Sequence, residues 1–161
     1  MALVTSQSTL PDFEHEYHTV IVDTVDDPTS KQKFTSHFPT PIENIVQVQL
    51  TAAHINGTGV SHKLIHLKID ELRSVFSQRG RTDLDTANDN MINCVFGTLV
   101  TYGTSRLVFK NEYPVIQQYY NPIQNLDRIT VNLLNETGAA ATTTETCLIF
   151  RFVCKKRNIP H

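Results

Sequence analysis

Between Val46 and Ala52, apolar and polar residues alternate without a break, and this alternation constrains the fold more than any other feature of the sequence. The order is Val46, Gln47, Val48, Gln49, Leu50, Thr51 and Ala52. Successive side chains of a β-strand point to opposite faces, so we predict a strand with one apolar face in a core. Asn56 and Gly57 end it, because both residues favour turns. His54 has the parity of the apolar face, and we expect it at a sheet edge with its hydrogen bonds satisfied.

Seven other segments have the composition of strands, and turn-forming residues separate them. They are Tyr17–Asp23, Lys63–Asp70, Met91–Thr101, Ser105–Lys110, Pro114–Tyr119, Leu126–Leu134 and Thr146–Cys154. Their predicted inward-facing residues include Ile65, Leu67, Ile69, Leu107, Phe109, Ile129, Val131 and Leu133. Proline cannot donate to a ladder, so the segment that begins at Pro114 is assigned to a sheet edge. The polar segment 77–90 is expected to be a long surface loop.

The segment that begins at Lys63 also fits a helix. Residues at helical spacing are Ile65, Ile69, Leu72 and Phe76, and Gly80 could end the helix. The alternation favours a strand as far as Asp70, followed by a short helical turn or a loop.

Eight strands with one weak helix candidate predict an all-β fold. Antiparallel strands of this kind bury their apolar faces by packing as two facing sheets or by closing into a barrel. A length of 161 residues allows one domain of ordinary size. We assign residues 14–154 to this domain, residues 1–13 to an N-terminal arm and residues 155–161 to a short basic tail.

The net charge of -2 argues against a protein whose main task is to coat nucleic acid, since such proteins concentrate Lys and Arg. No stretch approaches the roughly 18 apolar residues that cross a bilayer. The N-terminus has no signal-peptide pattern, so we expect folding in the cytosol. Cys94, Cys147 and Cys154 have no Cys-x-x-Cys spacing and lie in apolar segments. We predict that they are buried and reduced.

Motifs of the common enzyme classes are absent from the sequence. It contains no Gly-rich phosphate loop, no Gly-x-Ser-x-Gly turn and no His-Glu-x-x-His pair. His62 and His66 are expected to be solvated on one strand face, and His15 and His18 to point to opposite faces. We predict a protein that is not an enzyme and that has no catalytic residue, metal site or cofactor.

Sugar binding is an alternative, because many sugar-binding modules are β-sandwiches that stack sugar rings on exposed aromatic side chains. The sequence has no Trp. Tyr113, Tyr119 and Tyr120 could form such a platform, although tyrosines near strand ends also pack at sheet edges. A β-sandwich carbohydrate- or receptor-binding module therefore stays open as a second function.

The last predicted strand is apolar on both faces. Leu148, Phe150 and Phe152 lie on one face, and Ile149 and Val153 lie on the other. Such a strand needs cover on both faces, which a loop of the same chain or a neighbouring subunit can supply. The basic run that follows can be a solvated end of the strand, or it can contact an acidic neighbour or packaged DNA. The candidate subunit-contact residues are Ile149, Val153, Lys155, Lys156 and Arg157.

The order of four segments resembles a known family. The segments are Ile42–Ile55 (IENIVQVQLTAAHI), Leu67–Leu72 (LKIDEL), Phe96–Leu99 (FGTL) and Pro122–Val131 (PIQNLDRITV). Their order is similar to that in the single jelly-roll capsid proteins of nucleocytoplasmic large DNA viruses, and the resemblance spans roughly residues 40–154, which is most of the chain. Pro122–Val131 is the most specific of the four. Asn56 stands where the family pattern has Pro.

The resemblance implies a single eight-stranded antiparallel jelly roll, which is a type of β-sandwich. It implies a structural virion protein: a penton subunit at a fivefold vertex, present as a homopentamer, or a minor capsid protein between or beneath the major capsomers. The implied partners are further copies of the chain, the major capsid protein and other minor capsid proteins. The implied location is the virion, assembled in the host cytoplasm.

The family-like motif carries structural roles rather than chemistry. Its residues are Pro122, Ile123, Leu126, Asp127, Arg128 and Ile129. Pro122 is expected to fix the start of a strand, and Leu126 and Ile129 to anchor that strand to the core. Asp127 and Arg128 are expected to point to opposite faces, where they can bind loop amides or neighbouring charges.

Overall fold

The computed structural model describes residues 14–24, 32–57, 63–73, 94–101 and 105–156. Within these ranges the chain forms no helix and seven β-strands: β1 (His15–Asp23), β2 (Lys33–Asn56), β3 (Leu64–Ile69), β4 (Gly97–Val100), β5 (Arg106–Phe109), β6 (Ile116–Asn135) and β7 (Glu145–Lys155). The all-β prediction is confirmed. The predicted N-terminal arm, the loop 77–90 and the basic tail from Arg157 onward lie outside the described residues.

The described strands form one curled antiparallel sheet. The strand order is β1-β7-β2-β6-β3-β4, and β5 pairs with β2 beside this path. The described strands number seven rather than the predicted eight. β2 and β6 are long, at 24 and 20 residues. Strands of this length turn the corner of a β-structure by bending at bulges, so the arrangement is consistent with a jelly roll.

β6 joins two segments that the sequence pattern separates. Pro114–Tyr119 and Leu126–Leu134 were predicted as two strands, and this prediction is wrong, because β6 continues from Ile116 to Asn135. In the ladder with β2, Gln118 pairs with Gln47 and Ile123 pairs with Ile45. Four residues of β6, 119–122, therefore lie opposite one residue of β2. Such a bulge accommodates Pro122, which has no amide hydrogen to donate.

The alternation along β2 changes parity after Leu50. Val48 and Leu50 are buried as predicted, but Ala52 is only half-buried. The buried residues beyond it are Ala53 and Ile55. The register with β7 shifts between Leu50 and Ala52, and a bulge of one residue moves every later side chain to the other face.

The parity of the side chains also changes at the N-terminal end of the alternating segment. Val46 was predicted to be inward, but it is half-buried and its neighbour Ile45 is in the core. A register shift lies between Ile45 and Gln47 against both β6 and β7. The predicted inward positions of Val46 and Ala52 are therefore wrong, because bulges flank the regular stretch.

The core lies on one face of the curled sheet and contains the predicted inward residues of the other strands. Leu148, Phe150 and Phe152 of β7 are fully buried, and the ring of Phe150 meets that of Phe96 edge to face with centroids 5.7 Å apart. The residues predicted to be inward on β3, β5 and β6 are buried as well: Ile65, Leu67, Ile69, Leu107, Phe109, Ile129, Val131 and Leu133.

A turn follows β3, as the strand interpretation requires. The amide of Leu72 donates to the carbonyl of Ile69 at 3.1 Å. The carboxylate of Glu71 accepts hydrogen bonds from the amide of Thr130 at 2.7 Å and from its hydroxyl at 2.9 Å. These bonds attach the turn to β6. Phe76 and Gly80, which the helical interpretation needs, are not part of the described chain.

The parity change in β2 can be tested with two neighbouring alanines. We expect Ala53→Asp to lower the free energy of unfolding by at least about 3 kcal/mol, because it places an unpaired carboxylate in the core. Ala52→Asp should cost about 1 kcal/mol or less, because this side chain is on the opposite face. Urea unfolding of both variants measures the difference. Equal losses would contradict the bulge between Leu50 and Ala52.

Candidate functional site

The side of β1, β7, β2 and β6 that points away from the core is a continuous surface, which we call the outer face. Because residues opposite each other on paired strands share a face, the strand register places its side chains in rows across the strands. The first row is Tyr17, Val153, Gln47 and Gln118; the second is Thr19, Arg151, Gln49 and Ile116; the third is Ile21, Ile149 and Ala52.

The third row, which we call the apolar row, is incompletely covered. Ile21 is 61% exposed and lies directly opposite Ile149, which is half-buried. In the first row Val153 is half-buried beside Tyr17. The outward side chains of β7 are thus partly covered by β1 of the same chain, and Ile21 is left to solvent. Subunit contact through Ile149 and Val153 stays a prediction.

The first two rows border a concavity of about 780 Å³, which we call the Tyr17–Arg151 concavity. The guanidinium carbon of Arg151 lies 4.6 Å from the centre of the Tyr17 ring, in a cation–π contact. Gln118 donates from Nε2 to Oε1 of Gln47 at 3.4 Å. Gln49 donates from Nε2 to Oδ1 of Asn111 at 3.0 Å. The lining therefore combines an aromatic ring, a cation and several amides.

The bulge in β6 adds two further tyrosines to this concavity. Tyr120 is fully exposed, whereas Tyr119 packs against the core. The buried hydroxyl of Tyr119 has no hydrogen-bond partner in the described part of the chain. Burial raises the pKa of this hydroxyl above its usual range. The Tyr119 side chain is thus a packed, neutral part of the lining, and the exposed side chain of Tyr120 can contact a ligand.

Tyr113 does not join the other two tyrosines of the predicted platform. Its ring packs against Phe109 with centroids 5.0 Å apart. Its hydroxyl accepts a hydrogen bond from the amide of Val100 at 2.8 Å. The structure instead combines Tyr119 and Tyr120 with Tyr17. Only the register of β1 with β7 and of β7 with β2 brings Tyr17 there, and no local sequence signal indicates it.

The apolar residues of the family-like motif are part of the core or pack against it. Leu126 and Ile129 lie in the core, and Ile123 packs against it. Pro122 lies inside β6 rather than at its start, which corrects the expectation for this residue.

The two charged residues of the motif are both exposed. Asp127 and Arg128 lie between the two buried anchors Leu126 and Ile129, which are three residues apart. A register shift against β2 falls between the partners of Arg128 and Leu126, so simple alternation does not hold here. Nε of Arg128 lies 3.7 Å from Oε1 of Glu71, the residue that attaches the turn after β3 to β6.

The histidines have ordinary structural environments. His66, expected to be solvated, is buried, and its Nδ1 lies 2.9 Å from Oγ1 of Thr98, the residue directly opposite it on the paired strand β4. His54 accepts a hydrogen bond from Nε of Arg106 at 3.1 Å, as a satisfied histidine should. It lies between β5 and β7 rather than at a sheet edge.

Two other histidines, His15 and His18, lie on β1. His15 borders the Tyr17–Arg151 concavity, and Nε2 of His18 lies 3.8 Å from Oε2 of Glu16. His62 is outside the described residues. Within the described ranges no three His, Cys, Asp or Glu side chains are grouped so that they could hold a metal ion.

The three cysteines are free. Cys154 is buried on the core side of β7, and Cys147 is half-buried on its other side. Cys94 is half-buried and lies outside any strand at φ 62°, so its predicted strand position is wrong. Burial raises the pKa of the Cys154 thiol to about 11, with a further contribution from Glu16. Burial, Asp23 and Glu145 raise the pKa of Cys147.

The described part of the basic tail borders a second concavity, of about 680 Å³. Lys155 and Lys156 line it together with Glu16 and Glu43, so both signs of charge are present. The amide of Lys156 donates to the carbonyl of Glu14 at 2.9 Å and extends the pairing of β7 with β1. The role of these lysines as subunit contacts stays a prediction.

No family model matches the sequence, and no curated protein matches it. Among solved structures, the chain is similar to the crystal structure of the infectious bursal disease virus VP2 subviral particle. The identity is 12%, the TM-score is 0.36, and the match covers 99% of this chain and 38% of that chain. The chain thus spans about two-fifths of the length of the protein that it matches. No helix in the described ranges is long and apolar enough to cross a membrane.

The raised pKa of Cys154 predicts a pH dependence of stability. The thiol ionises near pH 9 in the unfolded chain and near pH 11 in the folded protein. Between these values the unfolded chain loses the proton first, so the contribution of the neutral thiol is complete below pH 9 and is lost toward pH 11.

Relative to Cys154→Ala, we expect the wild-type protein to lose about 2 kcal/mol of unfolding free energy over this pH interval. Urea unfolding at both ends of the interval measures it. A difference between the two proteins that does not change with pH would contradict the burial of this thiol.

Proposed function

We propose that this chain is a structural virion protein, a self-associating subunit of the icosahedral capsid of a large double-stranded DNA virus. The observation that carries the proposal is the apolar row on the outer face. Ile21 exposes 61% of its surface next to Ile149, on strands held rigidly by antiparallel pairing. Exposed apolar side chains that are grouped on a rigid face are typical of surfaces that another protein covers.

The apolar row can contribute substantially to assembly. Complete burial of an isoleucine side chain contributes roughly 1.5–3 kcal/mol, part of which remains available at a side chain as exposed as Ile21. In a closed ring every subunit uses the same two surfaces, so this contribution recurs at each interface. The apolar row therefore adds to the other contacts at each interface, and together these contacts must offset the cost of association.

The position of β1 at the end of the strand order supports the same proposal. Among the described strands β1 pairs only with β7, so its second edge has backbone groups without a strand partner. A neighbouring subunit that covers Ile21 also approaches this edge, and the edge of a sheet is a common place for another chain to bind.

The specific form that we propose is the penton, with five copies around a fivefold vertex in contact with the major capsid protein. The similarity of Pro122–Val131 to the single jelly-roll capsid proteins supports this choice, as does the structural environment of the motif. A minor capsid protein between or beneath the major capsomers is the alternative. In either role the chain is a structural component of the virion, assembled in the host cytoplasm, and not an enzyme.

The penton proposal predicts the mass of the assembly in solution. In a concentration series by multi-angle light scattering, the full chain should approach five times its mass of 18.2 kDa. A monomer at every concentration would contradict self-association into a penton. A different closed oligomer would contradict the penton and retain the wider proposal of a self-associating subunit.

A matched pair of variants tests the apolar row. Ile21→Lys should weaken assembly at least tenfold, because a lysine ammonium must be desolvated at the contact, and tenfold corresponds to only about 1.4 kcal/mol. Val108→Lys is the control, since Val108 is 43% exposed and lies opposite His54 in polar surroundings. Thermal unfolding checks that both variants are folded. Equal assembly of the two variants would exclude the apolar row as the interface.

A further inference from the structure

We infer that the Tyr17–Arg151 concavity binds a carboxylated saccharide. This site does not depend on the proposed capsid function, because it uses the first and second rows of the outer face and not the apolar row. Three properties of its lining support the inference. It has both exposed and half-buried aromatic rings, it has amide side chains with unused hydrogen-bonding capacity, and among the described residues it has a cation but no acidic side chain.

The aromatic rings supply surfaces for the apolar face of a sugar ring. Tyr120 is fully exposed at the rim, and Tyr17 is 49% exposed. Tyr119 is held against the core and does not need to be ordered when a ligand binds. Side chains that are already fixed lose little conformational entropy on binding, and aromatic walls with a few placed polar groups are characteristic of small-molecule sites.

The amides supply hydrogen bonds for sugar hydroxyls. Gln47, Gln49 and Gln118 are on adjacent strands and line the same concavity. A side-chain amide has two donor hydrogens and an acceptor oxygen with two lone pairs. The bond of Gln118 to Gln47 and that of Gln49 to Asn111 each use one donor and one lone pair. The remaining donors and acceptors suit vicinal hydroxyl groups, which both donate and accept.

The charge of the lining selects an acidic ligand. Arg151 lines the concavity, and no Asp or Glu of the described chain does so. The guanidinium of Arg151 is stacked on Tyr17, which leaves the N–H donors at its edge available. The N–H donors of a guanidinium edge bind a carboxylate through two parallel hydrogen bonds. A carboxylated sugar therefore contacts the rings, the amides and the cation together, whereas a neutral sugar offers no anion to the N–H donors of Arg151.

The test compares probes that differ in the carboxylate. The full chain is titrated with methyl glucuronide and methyl glucoside, and with sialyllactose and lactose, by chemical-shift perturbation and saturation-transfer NMR. We expect a dissociation constant on the order of 1 mM or lower for at least one acidic probe, and binding at least tenfold weaker for its neutral match. Sodium acetate, a carboxylate without a sugar, should bind more weakly than the acidic saccharide.

Two variants locate the site. Arg151→Gln should weaken binding of the acidic probe at least tenfold and leave the neutral probe unchanged, and Tyr120→Ala should weaken both. Arg128→Gln is the matched control, because Arg128 is an exposed arginine of β6 whose partner is Glu71, outside the concavity. It should leave binding of both probes unchanged.

Three outcomes would overturn the inference: no binding of either acidic probe at millimolar concentration, equal binding of acidic and neutral probes, or equal effects of Arg151→Gln and Arg128→Gln. Saccharide binding by Ile21→Lys separates this inference from the proposed capsid function. If that variant fails to assemble and still binds the acidic probe, the two surfaces act independently, as we infer. Loss of binding in the folded variant would overturn a site restricted to the first two rows.

Discussion

β2 is the strand on which the rest of the sheet depends. Over 24 residues it pairs with β6, β7 and β5, and among the described strands β1 pairs only with β7. Of its three register shifts, the two at Ile45/Gln47 and at Leu50/Ala52 decide which side chains of the alternating segment enter the core and which form the outer face. A long strand must bend to stay in a curled sheet, and bulges supply this bend at the cost of regular alternation.

Local alternation predicted the core wherever a strand pairs regularly. It was correct for Ile65, Leu67 and Ile69 of β3 and for the aromatic residues of β7. It failed at Val46 and Ala52, because a bulge depends on the partner strand and not on the alternating segment itself. His66 was expected in solvent by parity, but it is buried and contacts Thr98 of the paired strand β4, and strand pairing is a property of the whole topology.

The candidate site was less predictable than the core, because it is assembled from distant parts of the chain. Tyr17 and Arg151 are brought together by the pairing of β1 with β7, and Gln118 joins them through β2. The sequence indicated Tyr119 and Tyr120 as ring surfaces. The apolar row lies four residues along β1 from Tyr17, roughly 13 Å away at the rise of an extended strand. One face of the sheet can therefore have an assembly surface and a ligand site side by side.

We propose above all that the apolar row on β1 and β7 is a subunit boundary in a fivefold assembly. Single-particle electron cryomicroscopy of the assembled full chain tests it most directly, because it shows both the symmetry and the residues at each boundary. We predict a ring of five subunits in which Ile21 and Ile149 are buried against the neighbour. A ring in which Ile21 faces solvent, or particles without fivefold symmetry, would contradict it.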